Sequence, residues 1–169
     1  MELTIDPARM DERATLERLL QLYLHDFSSF AEPDSPYGDV EADGRFAFPD
    51  LERYWLTSDH QAFLMRRGGL LAGFALLNRW APSGAGVDFA IAEFFVLRKY
   101  RRIGLGRAAA RRLIAERPGR WEVGVAAYNS PAIAFWRATL TELDGWQVRE
   151  GAGDDERWRG PIFALRPPA

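Results

Sequence analysis

The amino-acid sequence predicts an α/β fold with a mixed, mostly antiparallel central sheet of about seven strands and helices on both faces. One observation is size, since 169 residues that are 47% hydrophobic supply the core of one domain over residues 1–169 but not of two. A second is the order of apolar patterns along the chain, which reads β-α-α-β-β-β-α-β-α-β-β. A third is the strand–helix–strand unit over 87–127, whose length suits a right-handed parallel crossover.

The elements of the N-terminal half follow from the spacing of their apolar residues. Residues 3–6 alternate briefly and predict a short first strand, while residues 11–27 carry apolar side chains at helical spacing and predict an amphipathic helix. The stretch 31–50 is rich in turn residues and acids, so we predict a loop there. A short helix through Tyr54 and Trp55 follows it.

The rest of the chain alternates between strands and helices, separated by turns that contain glycine and proline. A turn at Gly68-Gly69 joins two strands as a hairpin, and Pro118-Gly119 ends the helix that follows the longest strand. The predicted strands cover residues 61–66, 70–80, 87–97, 121–127, 147–150 and 158–166, and the predicted helices cover residues 104–117 and 130–140.

Composition excludes several classes of protein and site. The sequence has no cysteine, which excludes disulfides, thiol nucleophiles and cysteine zinc sites, and its two histidines are too few for a multi-histidine metal site. No apolar run approaches the ~18 residues of a membrane span, and the first residues lack the features of a secretory signal. A net charge of −2 argues against a general nucleic-acid binder. We therefore expect a cytoplasmic protein without a metal site.

Charge is distributed unevenly along the chain. Residues 98–120 contain nine basic side chains and one acid, whereas residues 24–59 contain nine acids and two arginines. The first segment is suited to an anionic ligand, and the second is suited to a cationic one.

The most informative motif is the loop Arg101-Arg102-Ile103-Gly104-Leu105-Gly106-Arg107, which lies between a strand and a helix. Two glycines allow a tight turn that brings several backbone N–H groups together at a helix start, where the helix dipole favours an anion such as a phosphate. A solvated turn is the alternative. The dinucleotide-binding fingerprint is disfavoured, because six residues separate the strand end near Leu97 from the first glycine.

This loop and its neighbours resemble the GNAT superfamily, the acyl-CoA-dependent N-acyltransferases. The family signature R/Q-x-x-G-x-G/A corresponds to Arg101, Gly104 and Gly106, and an asparagine followed by a helix recurs here at Asn129. The resemblance implies acetyl-CoA as co-substrate, with its pyrophosphate on the loop amides and its pantetheine arm paired with the preceding strand. The residues that it assigns to acetyl-CoA are Phe94, Phe95, Val96, Arg101, Arg102, Ile103, Gly104, Leu105, Gly106, Arg107, Asn129 and Trp136.

Acetyl transfer by direct attack of an amine needs a group that accepts the amine proton. Glu93 is the leading candidate for this general base, because a carboxylate within an apolar strand has a raised pKa. Pairing with an arginine and a place at a strand kink are the alternative roles for Glu93, and Glu122 is the second candidate base. Many family members place a tyrosine that protonates the leaving sulfur seven residues after the asparagine, but this sequence has Trp136 there, so either no dedicated acid acts or a tyrosine such as Tyr23 does.

The acceptor side is expected on the first helix and its loop, where Tyr23, His25 and Asp26 are candidate contacts. The acids of this region predict a small cationic amine as acceptor, with a solvated acidic surface as the alternative. Trp136 leaves open a second function, a non-catalytic acyl-CoA-binding regulatory module. Six tryptophans and eleven phenylalanines would allow an apolar surface for a homodimer.

Overall fold

The computed structural model describes residues 2–34 and 38–168, so residues 35–37 of the predicted loop lie outside it. The seven strands of the described residues belong to one sheet with the order β1-β2-β3-β4-β5-β7-β6. The strands are β1 (Leu3–Pro7), β2 (Gln61–Arg67), β3 (Leu70–Asn78), β4 (Phe89–Val96), β5 (Trp121–Gly124), β6 (Gln147–Ala152) and β7 (Pro161–Arg166). The helices are α1 (Arg13–Ser28), α2 (Arg53–Leu56), α3 (Leu105–Ala115) and α4 (Ser130–Leu140). The predicted order of elements is confirmed.

Every pair of neighbouring strands is antiparallel except β4 and β5, which run parallel and are connected through α3. The parallel pairing across the predicted crossover is therefore confirmed, as is the mixed and mostly antiparallel sheet. Single-turn 3₁₀ helices precede both α1 (Met10–Glu12) and the α3 loop (Arg98–Tyr100).

Helices cover both faces of the sheet, as the apolar patterns predict. On one face, which we call the α3/α4 face, the core contains Leu113, Ile114 and Leu140 packed against strand residues such as Ile91 and Phe163. On the other, the α1 face, Leu16, Leu19 and Leu20 pack against Leu64 and Phe74. The apolar stripe predicted for α1 is thus the stripe that the sheet buries.

Four predicted strands are longer in the sequence pattern than in the sheet, and two of them, 70–80 and 158–166, form strands over Leu70–Asn78 and Pro161–Arg166. The segment 121–127 forms a strand only over Trp121–Gly124, and its continuation donates from Val125 N to Pro161 O (3.0 Å) and from Ala127 N to Arg159 O (3.1 Å). The segment 87–97 forms a strand over Phe89–Val96. The pairing of β5 with β4 ends at Val123 while hydrogen bonds to the β7 side continue, which an apolar pattern by itself does not reveal.

No helix within the described residues is long and apolar enough to cross a membrane.

Candidate active site

The parallel pair β4–β5 separates after three residue pairs. Phe89, Ala90 and Ile91 lie opposite residues 121–123, and beyond this point β4 continues to Val96 without pairing to β5. The result is a gap in the sheet, bordered by residues 92–96 on one side and by Gly124 on the other, which we call the β4–β5 gap. Main-chain groups of β4 that face the gap are available to an extended ligand.

An irregularity in β4 determines which face its side chains reach. Ile91 lies opposite Leu77 and Glu93 lies opposite Leu76, so Ala92 is an extra residue in the ladder. Before the bulge, Ile91 packs in the core of the α3/α4 face, and after it Phe94 does, so the alternation shifts by one residue. Uninterrupted alternation would turn Glu93 to the same face as Ile91. The bulge is what allows Glu93 to meet α1.

Glu93 accepts a hydrogen bond from the hydroxyl group of Tyr23, which lies in the C-terminal half of α1. The Tyr23 ring is held by Phe27, Phe74 and Phe95, with ring centroids 4.8, 5.8 and 5.8 Å away. Burial raises the pKa of Glu93 to about 7, although the hydrogen bond from Tyr23 acts in the opposite direction. The predicted base is therefore a carboxylate that can both hold and release a proton near neutral pH.

The pKa of Tyr23 is raised well above its ordinary value, first by burial and then by the negative charge of Glu93. Tyr54 of α2 also has a raised pKa, again first because of burial and then because of Glu93. Sequence reasoning placed Tyr54 in a short helix but did not connect it with Glu93. The sequence feature that could have drawn attention to Tyr54 is the aromatic Tyr54-Trp55 pair after a polar loop. In the structure, Trp55 anchors α2, because its indole N–H donates to Ala8 O (2.8 Å).

The glycine loop presents a row of free amides at the start of α3. Arg102 (φ 63°) and Gly104 (φ 82°) both have left-handed backbone conformations, and such turns direct successive N–H groups toward one point. Among the residues that the structure describes, the amides of 102–107 find no hydrogen-bond acceptor. A β-carbon at Gly104 would meet nothing within 4 Å, so the space outside the loop is open. This is the geometry of an anion site.

Gly106 brings the start of α3 close to the end of β4. A β-carbon there would lie 3.3 Å from Val96 Cγ2 and 3.4 Å from the Phe135 ring, closer than most such contacts in proteins. Phe94 stacks on Phe135 (5.8 Å) and meets Trp136 edge-on (5.3 Å), so aromatic side chains fill the α3/α4 side of β4. Trp136 is 5% exposed and belongs to this core.

Asn129 is the N-cap of α4, where its Oδ1 accepts from Ala132 N at 3.1 Å. This contact fixes the Asn129 side chain. Its NH₂ group remains available to a ligand, because it finds no acceptor in the described part of the chain. Asn129 is half-buried and follows β5 on the far side of the β4–β5 gap from β4. The predicted residues on β4, the loop and α4 are thus assembled around one gap.

The acceptor candidates on α1 separate into different environments. Tyr23 points to Glu93, whereas Asp26 binds Arg98 (2.6 Å) and Arg101 (2.5 Å) and so has its charge compensated. Burial acts to raise the pKa of Asp26, but the hydrogen bonds from the two arginines outweigh it, so the pKa is lowered. His25 is exposed, with its ring 6.4 Å from that of Phe46.

Arg101 connects α1 to the loop and the loop to β4. In addition to Asp26, its Nε donates to Val96 O at 2.7 Å. Arg101 is the arginine of the glycine motif, and its side chain is used within the protein to position that motif. Sequence reasoning missed Arg98 as its companion, since only the meeting of α1 with the loop identifies it.

Glu122, the second candidate base, is buried and accepts hydrogen bonds from Ser83 N (3.1 Å) and Ser83 Oγ (2.5 Å). It lies opposite Ala90, where β4 and β5 are still paired. Its geometry fits the anchoring of the 81–86 turn, and it leaves Glu93 as the carboxylate at the gap.

Comparisons with known proteins agree with this geometry. Residues 16–140 match the family model of the acetyltransferase (GNAT) family. An acetyltransferase from Thermus thermophilus superposes with a TM-score of 0.68 at 19% identity, covering 99% of this chain and 97% of that one. The ribosomal-protein-S18-alanine N-acetyltransferase from Escherichia coli superposes with a TM-score of 0.51 at 19% identity, with coverages of 97% and 92%.

A third structure is the spermidine N-acetyltransferase from Vibrio cholerae in complex with CoA and spermine, with a TM-score of 0.56, 13% identity and coverages of 96% and 93%. A search of the curated proteins gives no match at a significant level. The solved structures share the fold at low identity, and the family model covers most of the sequence. The chain therefore belongs to the GNAT family and is an acyl-CoA-dependent N-acetyltransferase.

Proposed function

We propose that the protein transfers the acetyl group of acetyl-CoA to a primary amine of a small cationic acceptor by direct attack of the amine on the thioester. The observation that carries the proposal is the meeting of two features along β4. Free amides of residues 102–107 lie just beyond its end, and Glu93 with Tyr23 lies where β4 borders the β4–β5 gap. An anion site and a proton-accepting group on one strand suit a thioester that carries a diphosphate.

The residues around α3 fit the diphosphate of CoA. The loop amides converge, Gly104 leaves open space in front of them, and the exposed Arg102 adds positive charge, whereas Arg107 is paired with Glu142 at 2.7 Å. In the proposed arrangement the pantetheine arm pairs with the main chain of residues 94–96 inside the gap, and the NH₂ group of Asn129 donates to it from the opposite side.

Glu93 supplies the chemistry that an amine acceptor requires. The amine must be neutral to attack, and its nitrogen loses a proton as it becomes an amide; a carboxylate with a pKa of about 7 is suited to accept that proton. A main-chain N–H near Phe95 or Val96 would stabilise the charge that develops on the thioester oxygen. The sequence has no cysteine, which agrees with transfer that does not pass through an enzyme thioester.

The charge of the acceptor side supports a cationic substrate. Asp26 is compensated by Arg98 and Arg101, but residues 24–59 still contain more acids than bases, and such a surface attracts cations at a distance. Tyr23 and His25 on the same helix are the proposed neighbours of the bound amine. The Vibrio cholerae relative, whose structure holds spermine, is consistent with this class of acceptor.

The experiment is calorimetry with acetyl-CoA followed by a panel of amines, with release of free CoA thiol as the readout. We expect binding of acetyl-CoA and turnover that favours polyamines and amino sugars over neutral or anionic amines. Binding without turnover of any amine would instead support the non-catalytic acyl-CoA-binding module, for which Trp136 in place of an acidic tyrosine is the argument. No binding at millimolar acetyl-CoA would overturn both functions.

A further inference from the structure

Acetyl transfer ends with a thiolate that gains a proton, and α4 provides no side chain for this step. At the position where a tyrosine is expected the chain has Trp136, whose indole N–H can donate a hydrogen bond but cannot transfer its proton near neutral pH. Trp136 is also packed against Phe94 and Phe135 on the α3/α4 face, whereas Glu93 meets Tyr23 on the α1 face. A proton donor is therefore to be sought on α1.

We propose that Tyr23 is the catalytic acid that protonates the departing sulfur and that Tyr23 and Glu93 act as a two-residue proton relay. The inference rests on the proposed function, because it describes proton movement within the same acetyl transfer. Tyr23 donates a hydrogen bond to Glu93, the β4 residue that borders the β4–β5 gap, and the rings of Phe27, Phe74 and Phe95 pack against the Tyr23 ring and fix its orientation. Its hydroxyl group therefore has both a defined position and a source from which its proton can be replaced.

The relay balances over one turnover. As the amine nitrogen bonds to the acetyl carbon, its proton passes to the Glu93 carboxylate. As the carbon–sulfur bond breaks, the electron pair stays on sulfur and the Tyr23 O–H proton passes to it. The proton on Glu93 then moves to the Tyr23 oxygen, so that both residues return to their starting states and the products are an amide and a thiol.

The surroundings of the pair favour this coupling. Titratable groups near it are other tyrosines, namely Tyr54 beside Glu93 and Tyr128 beside Tyr23, and the residue opposite Glu93 on β3 is Leu76. Burial keeps Tyr23 protonated across the working pH range. The protonated phenol of Tyr23 gives up its proton most readily when a protonated Glu93 can donate its own proton to the phenol oxygen.

The test compares Tyr23→Phe, Glu93→Gln and the double variant under single-turnover conditions, with enzyme in excess over acetyl-CoA. Phenylalanine keeps the ring packing and removes only the hydroxyl group. We expect Tyr23→Phe to slow acetyl transfer about 100-fold, in the range of general acid–base catalysis. The double variant should be no more than about 3-fold slower than the slower single variant, because residues that act as one unit are not additive.

A proton inventory in mixed H₂O and D₂O separates catalysis from positioning. We expect a curved dependence in the wild type, for two protons in flight, and a linear one in Tyr23→Phe. Tyr54→Phe is the matched control, since Tyr54 lies near Glu93 while the hydrogen bond to that carboxylate comes from Tyr23, and it should change the rate less than about 3-fold.

Three results overturn the relay while the proposed function stands. The first is an active wild type whose rate survives Tyr23→Phe, and the second is a double variant whose loss is the product of the single losses. The third is a Tyr23→Phe variant that is slow but keeps the wild-type proton inventory, which contradicts proton donation and assigns Tyr23 to positioning Glu93. A wild type that turns over no amine overturns the proposed function and the relay together.

Discussion

Glu93 is a carboxylate that the fold keeps protonated further into the neutral range than it would be in the unfolded chain. Its pKa in the folded protein is about 7, against an ordinary value of 4.5. The folded state therefore binds more protons than the unfolded state between these two values, and stability falls as pH rises through this window. This loss of stability comes from Glu93, whose burial and position at the β4–β5 gap are useful for proton transfer.

Replacing Glu93 with glutamine should remove this cost. Below about pH 4.5 we expect the free energies of unfolding of Glu93→Gln and the wild type to change with pH in the same way. Between about pH 4.5 and pH 7 the variant should gain stability relative to the wild type. Above about pH 7 the difference should level off at about 3 kcal/mol. Urea unfolding at a series of pH values measures it.

Glu156→Gln, in the exposed loop between β6 and β7, is the control for loss of one charge. A stability difference for Glu93→Gln that is flat across the range from acid to neutral pH would contradict the perturbed pKa of Glu93.

The sequence made Glu93 predictable because an acid stands out in an apolar strand. Tyr23 could be named as a candidate from the sequence, but its hydrogen bond to Glu93 could not, since Tyr23 lies 70 residues earlier and the two meet only when α1 packs on the sheet. The same holds for Asp26, which reads as part of an acidic surface but forms ion pairs with Arg98 and Arg101. Spacing within one element is visible in a sequence, whereas pairing between distant elements is set by packing.

At the scale of elements, the loop before α3 depends on a conformation that glycine adopts without strain. Gly104 has φ 82° and open space around it, so a substitution there changes the backbone preference and creates no clash. The motif was readable from the sequence for this reason, because glycines at a strand–helix junction have few other uses. The bulge at Ala92 was not readable, since an extra residue leaves the apolar pattern of β4 almost unchanged.

We predict that Gly104→Ala weakens binding of acetyl-CoA about 10-fold, because a left-handed alanine costs roughly 1–2 kcal/mol and the loop amides shift to relieve it. Gly69→Ala is a closely matched control. Gly69 has φ 80° and equally open space but lies in the β2–β3 turn, so it should lower stability similarly without affecting affinity. Calorimetric titration of both variants measures this, and equal losses of affinity would contradict a specific role for the loop.

At the scale of the whole molecule, the two halves of the sheet are connected at its centre by a short parallel pairing of residues 89–91 with residues 121–123, which we call the joint. Strands β1 to β4 form one antiparallel block and β5, β7 and β6 form another, and only three residue pairs of β4 and β5 connect them within the described chain. Glu122 lies in this joint and is satisfied by Ser83 from the 81–86 turn. The joint therefore combines strand pairing with a buried side-chain contact.

Ser83→Ala should lower the free energy of unfolding by about 1–3 kcal/mol, because the buried Glu122 carboxylate then lacks its hydroxyl donor. Urea unfolding measures the loss, and Ser58→Ala, at an exposed turn position, should change stability by less than about 0.5 kcal/mol. If the two variants unfold at the same urea concentration, Glu122 has no stabilising role at the joint.

The block arrangement also bears on the order in which the chain assembles during synthesis. Strands β1 to β4 are neighbours in space in the same order as along the chain, so they can pair in turn while later residues are still being added. The opposite wall, β5, emerges only after α3 has been made, and its other neighbour is β7, the last in chain order of the described strands. We therefore expect the opening beside Glu93 to take shape late, once both blocks have formed.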